Sequence, residues 1–317
     1  MTSDQLLIID GNSLLNRYYY GTLPKGCRNK DEPPDCSQIE KDEEGHYCNA
    51  INPMMAAIYH LGETLQCPYT VACFDSGGPT IRSTIHSYKS GRSGTPEPLL
   101  QQLDRIKDII REDGMAVVER PFIEGDDLIA SLARKYRDKM QRIYVVSTDH
   151  DLLQLVDGEK IFSVLFVNSR EKADEYQMFW PGKHLFGKYF IFDREMVKAI
   201  EGVYPEQIAD LKALKGDRSD NIHGIYGVGR NAAPLISHFG SLNGLMEAAR
   251  TLPEKTFRAN LETIGVTEKV TDSILRERDR NQEMAQWLAT PCCSIPVNIS
   301  FQQLRRRNDT QRNTSTI

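Results

Sequence analysis

The sequence lacks any apolar run approaching the roughly 20 residues that cross a bilayer. Its N-terminus passes into a strand pattern without a basic segment and cleavage site. These absences argue against a membrane span or a secretory leader, and the expected location is the cytoplasm. A disulfide framework is missing too: the seven cysteines (Cys27, Cys36, Cys48, Cys67, Cys73, Cys292, Cys293) form an odd set without framework spacing, which fits reduced thiols. Short Cys-x-x-Cys knuckles are absent, so Cys27, Cys36, Cys48 and His46 make a weak case for zinc. Positive charge is in deficit: 39 Lys and Arg against 44 Asp and Glu leave −5, which at first argues against a polyanionic partner.

What is present is acid in clusters. Asp10 and Asp75, then Glu124, Asp126 and Asp127, then Asp149 and Asp151, then Asp217 and Asp220 form four groups over some two hundred residues. Most of the first seven follow an apolar run (LLII, TVACF, IYVVS) or open a helix after a turn. In a parallel sheet, those are the places where sites collect. Nine carboxylates drawn together repel one another unless cations lie among them. Oxygen-only donors suit magnesium or manganese, and paired hard ions are the usual apparatus for phosphodiester cleavage. With these nine acids neutralised, the balance becomes 39 basic against 35 acidic side chains, and nucleic acid is again an admissible partner.

A length of 317 residues favours one large α/β unit and a smaller partner. Leu6 to Ile9, Thr70 to Phe74, Ala116 to Val118 and Ile143 to Val146 read as buried parallel strands separated by helical spacing. The expected fold is therefore α/β, a mostly parallel sheet flanked by helices over 1–188, followed by a helical domain over 189–303 and a disordered tail over 304–317. Residues 24–45 read as a surface insertion, and 77–98, rich in Gly, Ser, Pro, Lys and Arg, as a mobile basic arch.

Each motif has a plainer explanation. Asp149-x-Asp151 could cap a helix, Glu124-x-Asp126-Asp127 could merely open one, and Arg82, Tyr88, Lys89 and Arg92 could only solvate a loop. The clusters in combination, in the order one sheet would give, favour a site. Cations on an arch can then grip a phosphate, and Tyr88 can stack on a base. Gly227-Val228-Gly229 superficially matches a dinucleotide fingerprint, but it follows the polar stretch 217–223 instead of a strand. A hairpin between two helices, whose glycines Gly224, Gly227 and Gly229 let amides approach a duplex phosphate, is the better reading.

The segments IIDGNSLLNR (8–17), FDSGGPTIR (74–82), YKSGR (88–92), EGDDLIASLA (124–133), STDHDLLQL (147–155) and KGDRSDNIHGIYGVG (215–229) resemble the 5′ to 3′ exonuclease domain of bacterial DNA polymerase I, within the flap endonuclease family. The resemblance covers about residues 5–250 and implies a PIN-like, resolvase-like nuclease core with a helix-hairpin-helix in its C-terminal domain. It implies one metal at Asp10, Asp75, Glu124 and Asp126, and a second served by Asp126, Asp149, Asp151 and Asp217. Asp127 and Asp220 match further family acids, Lys89 and Arg92 the basic arch, and Arg17 a phosphate contact. It also implies potassium at the glycine hairpin. The implied activity is metal-dependent cutting of DNA at 5′ flaps, 5′ ends and nicked or gapped duplex, giving 5′-phosphate and 3′-hydroxyl, by a monomer that stands alone without a polymerase domain. Differences from the family pattern are Arg230 and Asn231 where a lysine usually follows the hairpin, His150 in place of a lysine, His223 in place of a proline, and a second insertion over about 168–188. A structure-binding protein without catalysis, a small-molecule phosphatase and an RNase on the same acids are the alternative readings.

Overall fold

The computed structural model describes residues 4–24, 27, 36–85, 88–89, 94–279 and 282–306. Six strands form one sheet: β1 (Gln5–Asp10), β2 (Tyr69–Asp75), β3 (Ala116–Arg120), β4 (Arg142–Ser147), β5 (Ile161–Phe166) and β6 (Tyr189–Phe192). Their order is β3-β2-β1-β4-β5-β6, parallel up to β5, with β6 antiparallel at the edge. Alternation along β1 explains the layers. Leu7 and Ile9 face a core shared with α1 (Gly11–Thr22), α2 (Ile51–Thr64) and α3 (Glu97–Glu112), while Leu6 and Ile8 face α4 (Gly125–Tyr136). Both faces of the sheet are thereby covered, as parallel strands require.

The sequence reading placed four strands and ended the sheet domain at 188. The structure adds β5 and β6 and carries the sheet through Phe192. Within residues 168–188, α5 (Arg170–Phe179) and the turn Pro181–Lys183 lead into β6, and Ala173, Tyr176 and Trp180 pack on the apolar core. The helices that follow are α6 (Arg194–Glu201), α7 (Ile208–Lys215), α8 (Ala232–Phe239), α9 (Leu242–Thr251), α10 (Glu254–Thr263), α11 (Glu268–Glu277) and α12 (Glu283–Ala289). Their core is continuous with Leu165, Phe190 and Phe192 of the sheet's edge.

After α12 the chain returns to the sheet. The Val297 and Ile299 carbonyls accept hydrogen bonds from Lys135, Ile299 also from the Tyr136 hydroxyl, and α13 (Phe301–Leu304) packs its Phe301 ring on Tyr69. Arg305 bridges to Tyr69, and the Arg306 amide donates to the Pro68 carbonyl at 3.0 Å. Leu304, Arg305 and Arg306 are thus tied to the core, contrary to the expected disordered tail; the rest of that tail lies outside the described residues. Of the 24–45 insertion, Asp42 forms an ion pair with Arg105 of α3, and Lys41 bridges to Tyr47.

Candidate metal centre

The chain leaves β1 toward β2 and β3, then crosses back to begin β4 on the other side of β1. At such a switch point adjacent loops diverge and leave a crevice at the strands' carboxyl ends. Asp10 ends β1, Asp75 ends β2 and Asp149 lies two residues past β4. α4 starts beside β2: the Gly125 amide donates to Asp75 Oδ1 at 2.6 Å, and Asp126 follows in the first turn. Asp10, Asp75, Glu124, Asp126, Asp149 and Asp220 line one groove of about 870 Å³, together with Asn16, Arg17, Tyr20, Lys89, Thr95 and Asn168.

Asp10 caps α1, accepting from the Ser13 amide at 2.9 Å, and its other oxygen accepts from the Ser147 hydroxyl at 2.7 Å. Burial nevertheless pushes its pKa up to about 7, helped by the charges of Asp149 and Asp75. Asp126 is driven well above the ordinary carboxylate range by burial and then by Asp10, Asp149 and Asp75. Negative charge is therefore concentrated beyond what the local donors neutralise, and an all-oxygen donor set of this kind fits hard divalent cations.

A second pocket adjoins the first across His150. Carboxylate oxygens of Asp151, Asp217 and Asp220 lie within 4.8 Å of one another. The Lys212 ammonium, on α7, pairs with Asp151 and lies 2.6 Å from Asp217. Burial raises Asp151 to about 6 despite Lys212, with Asp149 adding to the rise. Against burial, Lys212 and Ser219 hold Asp217 at about 2. Sequence reasoning missed Lys212, which stands in the helix before KGD without any local motif. It also missed the pairing of His150 Nδ1 with Glu201 at 2.6 Å, which raises the imidazole pKa.

Other expected residues are placed differently. Asp127 turns away from the groove: Arg82 donates to one oxygen at 2.8 Å and the Cys292 amide to the other at 2.7 Å. Its contacts here are an internal ion pair and an amide hydrogen bond that tie α4 to the returning segment. Arg82, 6% exposed, also donates to the Thr290 carbonyl, and Tyr88, equally buried, directs its hydroxyl at Glu124 at 3.2 Å. Through these contacts Arg82 and Tyr88 pack against Asp127 and Glu124. Lys89 completes that contact, its Nζ 3.0 Å from Glu124 and its amide donating to the Asp220 carbonyl. Against burial, Lys89 and Arg82 keep the Glu124 pKa low. Arg92 lies outside the described residues.

Arg17, at the groove, donates to Asn168 at 2.8 Å, with its guanidinium 3.0 Å from the Phe166 ring centroid. The segment between α7 and α8 carries Gly224, Gly227 and Gly229. A Cβ on Gly224 would lie 2.3 Å from the Gly216 nitrogen, and φ at Gly227 is +81°. Ile225 and Val228 anchor this hairpin in the core, leaving Tyr226, Gly227, Gly229 and Arg230 on the surface. No helix among the described residues is long and apolar enough to cross a membrane.

Comparison with known proteins gives a consistent picture. Residues 5–180 match the family description "5′-3′ exonuclease, N-terminal resolvase-like domain", and residues 203–312 match "5′-3′ exonuclease, C-terminal SAM fold". The chain is 33% identical over 242 residues to the 5′-3′ exonuclease of Mycoplasma pneumoniae, covering 75% of this chain and 74% of that protein. It is 30% identical over 274 residues to the 5′-3′ exonuclease of Halalkalibacterium halodurans, covering 85% and 82%. It spans 27% of the length of the DNA polymerase I of Mycobacterium tuberculosis, at 32% identity over 85% of this chain. A solved T5 5′-exonuclease structure, described as having divalent zinc bound, shares the fold with a TM-score of 0.58 at 17% identity, covering 90% of this chain and 97% of that one.

Proposed function

This chain belongs to the 5′-3′ exonuclease family, and from that premise we propose that it is a structure-specific 5′ nuclease with flap endonuclease activity, hydrolysing DNA phosphodiesters with the help of divalent metal ions. The observation that carries the reading is the convergence of Asp10, Asp75, Glu124, Asp126, Asp149 and Asp220 on one groove, adjoining the cluster of Asp151, Asp217 and Asp220.

Asp10, Asp75, Glu124, Asp126 and Asp149 would hold one magnesium or manganese ion, and Asp151, Asp217 and Asp220 a second. Such ions, when bound, lower the pKa of water and offset charge on a phosphate. The chain's own residues do the rest. Lys89, released from Glu124, reaches the scissile phosphate and stabilises its developing charge. Arg17 lies in the same groove and holds a neighbouring phosphate. The exposed hairpin amides around Gly227 and Gly229, with Arg230, hold the duplex backbone, with potassium at the hairpin as part of the same proposal. Contacts of this kind read shape and leave base sequence unread. The partners are then 5′ flaps, 5′ ends and nicked or gapped duplex, and the products carry a 5′-phosphate and a 3′-hydroxyl.

The experiment is digestion of a 5′-labelled flap duplex with and without magnesium, beside nicked, blunt and single-stranded controls. Metal-dependent release of short 5′ products from the flap is the expected result; failure to cut any 5′ end with either magnesium or manganese would remove the proposal.

A further inference from the structure

Phe122 occupies a backbone conformation that favours glycine. Arg120, Pro121, Phe122 and Ile123 make a tight turn closed by the Ile123 amide donating to the Arg120 carbonyl at 3.2 Å, and φ at Phe122 is +66°. Proline second and positive φ third is the pattern of a type II turn, whose third residue is ordinarily glycine or asparagine because a side chain crowds the backbone there. Burial does not offset this steric cost, since the Phe122 side chain is 60% exposed. Strain held at a bulky residue is a reason to look for a ligand.

The surroundings identify one. Ile81, itself 54% exposed, donates its amide to the Phe122 carbonyl at 3.0 Å. Next to it, the Thr80 hydroxyl donates to Glu124 at 3.1 Å. The turn and the start of the arch are thereby fastened together at the rim of the acid groove, with two apolar side chains left outward. Arg82 and Lys89 turn inward to Asp127 and Glu124, and Arg120 of the turn reaches the Pro296 carbonyl at 2.6 Å, so Phe122 and Ile81 are the side chains this rim presents for stacking. Two side chains are far too small for a stable protein interface, which needs about 800 Å² on each partner. They match the flat face of a base, on which an aromatic ring stacks whatever the sequence.

We propose that Phe122, backed by Ile81, is a specificity-determining residue that stacks on an unpaired nucleobase of the 5′ strand beside the acid groove. The inference rests on the nuclease reading above and deepens it by naming what the site recognises in a tailed substrate.

The test compares wild type with Phe122→Gly, Phe122→Leu and Phe122→Trp on a duplex with a short 5′ tail, and on the same duplex with abasic tail nucleotides. In wild type, KM is lower for the base-bearing tail. In Phe122→Gly the ratio of the two KM values collapses toward one, a loss of about fivefold or more in discrimination. Phe122→Leu lies close to Phe122→Gly, and Phe122→Trp restores the ratio. Tails carrying 2-aminopurine, bound in calcium without cleavage, give quenched fluorescence with wild type and recovered fluorescence with Phe122→Gly. Equal ratios in all four proteins, or quenching that survives Phe122→Gly, would overturn the proposal. Absence of cleavage in every protein with the quenching pattern intact would count against the nuclease reading alone.

Discussion

The Ser147 hydroxyl joins two strands at the floor of the groove, donating to Asp10 at 2.7 Å while accepting from the Asp149 amide at 2.9 Å. Through it, the end of β1 and the loop after β4 share one polar centre, which fixes Asp10 at the switch point. That centre is charged and buried at once, and this makes the metal-free protein sensitive to pH. The folded pKa values of Asp10 (about 7) and Asp151 (about 6) lie above those of an unfolded carboxyl. The folded chain thus holds protons that the unfolded chain releases, so the stability these two groups contribute is full below about pH 4 and is lost as pH rises toward 7. Asp217 and Glu124, both lowered, act oppositely but mainly below that window. In EDTA the thermal midpoint should be higher at pH 5 than at pH 7.5, and magnesium should raise it more at pH 7.5. A higher midpoint at pH 7.5 in EDTA would contradict the buried-charge account.

Asp126→Asn removes a carboxylate that faces Asp10, Asp75 and Asp149. Single-turnover cleavage in magnesium should fall about a hundredfold or more, while gel-shift affinity for a flap duplex stays near wild type. Near-normal turnover would remove Asp126 from the metal-binding group.

Lys89→Ala should slow the chemical step more than it weakens binding, because Nζ now rests on Glu124 within reach of the groove. Single-turnover rate and dissociation constant, measured separately on one substrate, distinguish the two effects. An unchanged rate with weaker binding would make Lys89 a tether only.

Asp127→Ala leaves the buried Arg82 guanidinium without its closest carboxylate and the Cys292 amide without its acceptor. Loss of one partner of a buried pair costs about 3–5 kcal/mol, so urea unfolding should shift strongly, whereas replacing both Arg82 and Asp127 with apolar residues should recover much of it. Magnesium titration by calorimetry of whatever Asp127→Ala remains folded should give near wild-type affinity. A large loss of metal affinity at unchanged stability would return Asp127 to the metal cluster.

Gly224→Ala places a methyl carbon 2.3 Å from the Gly216 nitrogen and 2.4 Å from the Lys215 carbonyl carbon, both backbone atoms that cannot step aside. Overpacking of this kind costs about 1–3 kcal/mol, and displacement of the hairpin should weaken duplex binding about tenfold with little effect on single strands. Equal losses on both substrates would show that the hairpin does not hold the duplex.

The primary structure determined the elements whose signal is local. Apolar runs such as Leu6 to Ile9 identify strands because parallel strands are buried on both faces, and acids at their ends locate the site because sheet loops gather there. β6 carries little local signal because it is four residues long and follows an excursion through α5, whereas β5 is as long as β1 and was legible in the apolar run Ile161–Phe166. Only the tertiary structure decided where neighbouring acids point. Asp126 and Asp127 are adjacent in sequence, yet successive positions on a helix diverge by about 100°, which sends one carboxylate into the groove and the other into an ion pair with Arg82. Likewise Lys212 reaches Asp151, and residues 291–306 return to brace α4 and β2, because packing joins surfaces whose separation along the chain carries no local signal.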